Sequence, residues 1–130
     1  MAVRFPISRI LRCSCGALLL AGVLLGGVHA DWDFSLISAR AQALYGSLGE
    51  GQQRIDAWQH MLATQNQVGE LEQLNVINRF FNKQLRYVED IDLWHQVDYW
   101  ETPIEALWKG AGDCEDYAIA KYFSLRHLGV

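Results

Sequence analysis

GAGDCEDYAIAKYFSLRHLGV, residues 110–130, sets one cysteine among carboxylates, just behind two glycines and at the head of a helical stretch. The last helix is expected to start at Asp113 or Cys114 and run to Leu128, with Gly129 as its C-terminal breaker. At 100° per residue, Tyr117, Ala118, Tyr122, Leu125 and Leu128 lie within about 80° of Cys114. The thiol is therefore expected to head the most apolar face of a largely buried helix. Glu115 and Asp116 turn away from that face.

Such a thiol meets unpaired backbone N–H groups and the positive end of the helix dipole, which favour thiolate and so nucleophilic chemistry. A plain buried cysteine fits the same position. Gly110 and Gly112 would let a substrate backbone come close. Asp113, Glu115 and Asp116 suit a helix N-terminus, and helix stabilisation alone could account for them. Yet three negative charges oppose thiolate formation next door. A bound hard cation resolves that conflict, and carboxylate oxygens suit calcium better than zinc. Zinc lacks a second thiol here and any paired histidine spacing.

A thiolate enzyme also needs a base. His127 fails on geometry, because it lies 13 residues along the same helix, roughly 19 Å away. His60 falls on a polar helix face and His95 in an acidic loop, so neither is a convincing base.

Working outward, the first thirty residues differ in kind. Arg4, Arg9 and Arg12 make a basic start, and no acidic residue precedes Asp31. Cys13 to Val28 is uncharged and apolar, and Val28-His29-Ala30 offers small residues at the −3 and −1 places of a cleavage site. Residues 1–30 are expected to be a signal peptide cut after Ala30, since an apolar run of 16 residues is short for a span of roughly 20. Cys13 and Cys15 would leave with it, and neither sits where a lipoprotein cysteine would. Residues 31–130 then form one modest domain carrying 8 basic and 15 acidic residues, net −7, which excludes a nucleic-acid backbone as partner. Cys114 is the one thiol left, so no disulfide framework is available.

Within that domain, 34–45 and 50–66 read as helices, with Gly46 and Gly49 between them. The stretch 68–88 reads as a third, with Leu74, Ile77, Phe81, Leu85 and Val88 on one face. EDIDLWHQVDYWETP (89–103) reads as an acidic, aromatic loop with one short turn or strand. Thr102 then caps a helix that has Pro103 at its first position and Glu105 completing a capping box, ending at Gly110. Trp94, Tyr99, Trp100 and Trp108 fit core and loop packing, or a groove beside Cys114. Asp98 offers a loop contact.

NRFFNKQLRYVEDIDLW (78–94), DYWETPIEAL (98–107) and residues 110–130 resemble the bacterial transglutaminase-like cysteine proteinases, of the periplasmic LapG type. The resemblance implies a papain-like α+β fold, with a helical first part and the nucleophile heading a central helix packed on an antiparallel sheet. It implies a Cys-His-Asp triad with Cys114 as nucleophile. It also implies a calcium site on Asp113 and Glu115, with Asp116 as a further ligand. Such enzymes cut large biofilm adhesins near their N-terminus at a di-alanine site and release them from the outer membrane. An inner-membrane cyclic di-GMP receptor inhibits them in the periplasm. In this family the His and Asp come from strands after the cysteine helix, which residues 1–130 do not reach. The expectation is that these residues alone do not cleave. A binding module without catalysis, or a transglutaminase or amidase on the same core, are the competing readings.

Overall fold

The computed structural model describes residues 31–130, so the signal peptide expected over 1–30 lies outside the described residues. The elements are α1 (Phe34–Tyr45), α2 (Glu50–Gln65), α3 (Glu70–Gln84), β1 (Arg86–Tyr87), α4 (Asp90–Leu93), α5 (Pro103–Lys109), β2 (Ala111–Gly112) and α6 (Cys114–Leu128). Among the described residues no helix is long and apolar enough to cross a membrane.

Local chemistry sets most boundaries. Asp33 opens α1 by accepting from the Leu36 N–H at 3.0 Å. The capping box of α5 is formed in full: Thr102 Oγ1 accepts from Glu105 N at 3.2 Å and Glu105 Oε2 from Thr102 N at 2.8 Å. Gly110 closes that helix in the left-handed region at φ 65°, where a side chain would be strained.

The core forms where α2, α3, α5 and α6 meet. Ile55, Trp58, Leu62, Ile77, Phe81 and Leu107 are its most buried large side chains. Phe34 and Ala41 seat α1 on the same cluster. Trp58 is the centre: its ring packs edge-on to Phe34 at 5.4 Å, and its Nε1 donates to Ser124 Oγ of α6 at 2.9 Å.

The third helix is shorter than its periodicity suggests. It ends at Gln84, and Leu85 is extended (φ −109°, ψ 144°). Leu85 is still buried, so its burial continues the Ile77–Phe81 spacing although the backbone has left the helix. The chain then forms β1, which pairs in parallel with β2, Arg86 against Ala111 and Tyr87 against Gly112. This pair ties the end of α3 to the residues just before the cysteine.

The orientation of α6 also departs from expectation. The line facing inward is Asp116, Ala120 and Ser124, while Cys114, Ala118 and Tyr122 are exposed. Small side chains explain the difference. Ala120 and Ser124 let α6 approach closely enough for the Trp58–Ser124 bond, whereas bulkier Tyr117, Leu125 and Leu128 flank the contact and are half-buried. Tyr117 anchors that flank by donating its hydroxyl to the Leu85 carbonyl at 2.7 Å.

Candidate active site and cation centre

Cys114 is a free, exposed thiol at the first position of α6. Its backbone N–H lies in the first turn, where no intrahelical acceptor exists. His127, at the far end of the same helix, stacks on Trp32 with ring centroids 4.4 Å apart. His60 on α2 and His95 in the segment after α4 are both exposed.

Around the start of α6 the chain concentrates buried carboxylates. Asp90, Glu101, Asp113 and Asp116 are 2%, 1%, 7% and 1% exposed. Ligand oxygens of Asp90, Asp113 and Glu115 all lie within 4.8 Å of one another. Asp90 Oδ2 accepts from the Tyr99 N–H at 2.6 Å, which wraps the 94–101 loop around the cluster. Asp90 Oδ1 and Asp113 Oδ1 are buried with no protein partner.

Asp116 was expected as a ligand and takes a different place. Its Oδ1 accepts from the Glu101 N–H at 2.8 Å and its Oδ2 from the Asp113 N–H at 3.0 Å. It therefore clamps the loop and the residue before the thiol, and Asp90 takes its place in the converging set. Glu101, also unforeseen, accepts from Trp94 Nε1 at 2.5 Å and leaves its other oxygen unpartnered.

Burial and neighbouring carboxylates raise Glu101, Asp113 and Asp116 above the usual carboxylate range. Burial, then hydrogen bonding to Glu115 and the charge of Asp90, raises Asp113 to about 7. Burial lifts Glu101 to about 8, against the opposing bond from Trp94 and with the help of Asp116. Burial also raises Asp116, although the backbone N–H bonds it accepts pull the other way.

The glycines face inward. An added Cβ on Gly112 would stand 2.8 Å from Asp116 Cβ and 2.9 Å from Asp116 Oδ2. Gly112 thus gives room to the clamp and not to an approaching substrate. Gly112→Ala is expected to cost about 1–3 kcal/mol, because backbone must shift to relieve that overlap. Thermal unfolding checks this, and an unchanged midpoint would show that β2 yields freely.

The aromatics divide. Trp108 stacks on Tyr45 at 4.5 Å, and Lys109 Nζ lies 4.7 Å from the Trp94 ring, so these two pack. Trp100 is 69% exposed, its indole N–H directed to Asp98 Oδ1 at 3.2 Å.

An exposed cysteine thus opens a helix on a helix-rich frame, beside a nest of buried carboxylates. Residues 50–130 match the bacterial transglutaminase-like cysteine proteinase family, and the chain belongs to it. Its structure is similar to that of calcium-bound Legionella pneumophila LapG, with 36% identity over 75% of this chain and a TM-score of 0.59. LapG from the same organism after EGTA treatment matches at 35% identity over 75% of this chain, also with a TM-score of 0.59. The chain spans about half of these proteins, 51% and 50% of their lengths. It is a partial transglutaminase-like fold. No curated protein matches the sequence.

Proposed function

We propose that this chain is the nucleophile-bearing part of a calcium-dependent cysteine endopeptidase that works in the periplasm. Its substrate is a large biofilm adhesin, cut near the N-terminus at a di-alanine site and so released from the cell surface. An inner-membrane cyclic di-GMP receptor restrains it. The observation that carries the reading is the exposed Cys114 thiol at the head of α6, beside the converging oxygens of Asp90, Asp113 and Glu115. The likeness to LapG in calcium-bound form supports the choice of cation, and the family resemblance supports the adhesin, the receptor and the compartment.

The residues fit a hard cation. They offer only oxygen donors, and two buried oxygens, on Asp90 and Asp113, have no protein partner. Asp90, Asp113 and Glu115 would hold calcium, which supplies positive charge that lets these carboxylates ionise together beside the thiol. Asp116 keeps Asp113 and the loop in register without joining them.

In the reaction, Cys114 Sγ as thiolate bonds to the peptide carbonyl carbon, and the thiol proton passes to a histidine base outside residues 31–130. The C–N bond breaks as that base returns the proton to the leaving amine. Water then cleaves the thioester and frees the thiol. The backbone N–H of Cys114 is placed to stabilise the developing oxyanion.

The test incubates the full gene product with the adhesin's N-terminal region. Cleavage is expected with calcium, its loss with EGTA, and its abolition in Cys114→Ala. Residues 31–130 alone are expected to cleave nothing. Cleavage by Cys114→Ala would overturn the assignment of the nucleophile.

A further inference from the structure

The loop between α4 and α5 is tied to the carboxylate cluster at two points. At the first, Asp90 divides its carboxylate: Oδ2 accepts from the Tyr99 N–H at 2.6 Å, while Oδ1 is buried with no protein partner. At the second, Asp116 accepts from the Glu101 N–H at 2.8 Å and from the Asp113 N–H at 3.0 Å. Asp113 Oδ1 is likewise buried without a protein partner. Tyr99 adds a third hold away from the cluster. Its hydroxyl donates to Glu105 Oε1 of α5 at 2.7 Å, and its ring lies 4.5 Å from that of Trp94. Within the same span His95 occupies the left-handed region at φ 58°, which few residues other than glycine adopt. The closed loop has to be held shut.

We propose that the cation clasps this loop: occupation of the Asp90, Asp113 and Glu115 cluster closes residues 94–101, and loss of the cation releases them. The proposal rests on the reading of those three acids as the holders of calcium. Their oxygens lie within 4.8 Å of one another, and ionised groups so close repel unless a cation stands between them. Relief falls on the least supported of the three. Asp113 and Glu115 stand at the start of α6, a helix of 15 residues packed on α2, α3 and α5. Asp90 opens α4, which is four residues long. Asp90 is therefore the carboxylate that swings away, and the Tyr99 N–H loses its acceptor or moves with it. The bond to Asp116 then holds the Glu101 end alone.

The cation thus acts on a loop that it need not touch. Val97 and Trp100, 93% and 69% exposed, are carried on that loop, so occupation of the cluster also fixes where this apolar tip stands. Coupling of this kind is reciprocal: whatever favours the closed loop tightens cation binding, and by the same factor. The bond from Tyr99 to Glu105 belongs to the closed loop and involves none of the three cluster acids. Its removal is therefore felt as weaker cation binding, although every ligand is intact.

Two measurements on the full gene product test this, and neither reads catalysis. Amide hydrogen exchange in EGTA should show the Tyr99 and Glu101 amides opening faster than those inside α3, and calcium chloride should slow them about 10-fold. Calorimetric titration with calcium chloride then compares wild type with Tyr99→Phe, which keeps the ring on Trp94 and loses only the hydroxyl. Its calcium affinity is expected to fall about 5-fold, the low end of such couplings. Equal affinity in the two proteins would overturn the proposal. So would loop amides as slow as those of α3 in EGTA, or loop exchange that calcium leaves unchanged. A wild type that binds no calcium would sink the cation reading and this inference with it, whereas binding without these effects sinks the inference alone.

Discussion

Replacing Trp58 by alanine is expected to lower the unfolding free energy by about 3–5 kcal/mol. Trp58 is 2% exposed, and its ring contacts Trp32 at 5.1 Å, Phe34 at 5.4 Å and Phe81 at 6.4 Å. Truncation removes apolar burial and opens a cavity between α1, α2 and α3. It also removes the N–H that reaches Ser124 Oγ, the side-chain bond by which α2 holds the inner face of α6. A domain of this size has a total stability of about 5–15 kcal/mol, so one substitution would take a large share. Trp58→Phe separates the two effects. It keeps most of the ring area, and Ser124 Oγ still donates to the Ala120 carbonyl at 2.8 Å, so the lost bond should cost only about 1 kcal/mol beyond the packing change. Urea unfolding of both variants with the slope held comparable gives the comparison. An alanine variant within 1 kcal/mol of wild type would mean that Trp32 and Phe34 refill the space.

Trp58 also shows what a sequence carries and what it does not. Its place among Ile55 and Leu62 on α2 is legible from helical spacing. Its partner Ser124 is not, because a serine on α6 reads as polar surface until the helix that it must approach is known. The same limit applies to α6: the bulky apolar residues near Cys114 look like the buried face, but close helix packing selects Ala120 and Ser124. Signals confined to four residues survived. Thr102, Pro103 and Glu105 begin α5 as their spacing requires, and Cys114 opens α6. Leu85 failed in the other direction, since a buried residue four places beyond Phe81 continues a helical pattern even in extended backbone. The candidate cation cluster is half legible in the sequence. Asp113 and Glu115 flank the thiol in sequence, whereas Asp90 arrives from 23 residues away through the pairing of β1 with β2. Glu101 arrives through the clamp on Asp116. The one available hint was the density of acids in EDIDLWHQVDYWE, residues 89–101, with no Lys or Arg among them.

That density makes the cation-free protein sensitive to pH in an unusual direction. Asp113 is raised to about 7 from 3.8 and Glu101 to about 8 from 4.5. Below about pH 4 both groups hold protons in the folded and the unfolded chain alike. Between there and pH 8 the unfolded chain has released them while the folded one still binds them. Folded protein therefore carries more protons throughout that window, and stability falls as pH rises through it. In EGTA the melting temperature at pH 5.5 is expected to exceed that at pH 8. Calcium should reverse the ordering. It binds the ionised carboxylates, so at pH 8 it stabilises by mass action, whereas at pH 5.5 it must first displace protons from Asp113. Asp90→Ala removes a converging ligand outside the cysteine motif, and should abolish the calcium-induced rise at pH 8 while Cys114 keeps its place on α6. Melting curves at two pH values, with EGTA and with calcium, contain the whole test. A melting temperature that climbs with pH in EGTA would mean that water and loop relaxation already satisfy these acids. A calcium shift of equal size at both pH values would place the ion away from Asp113.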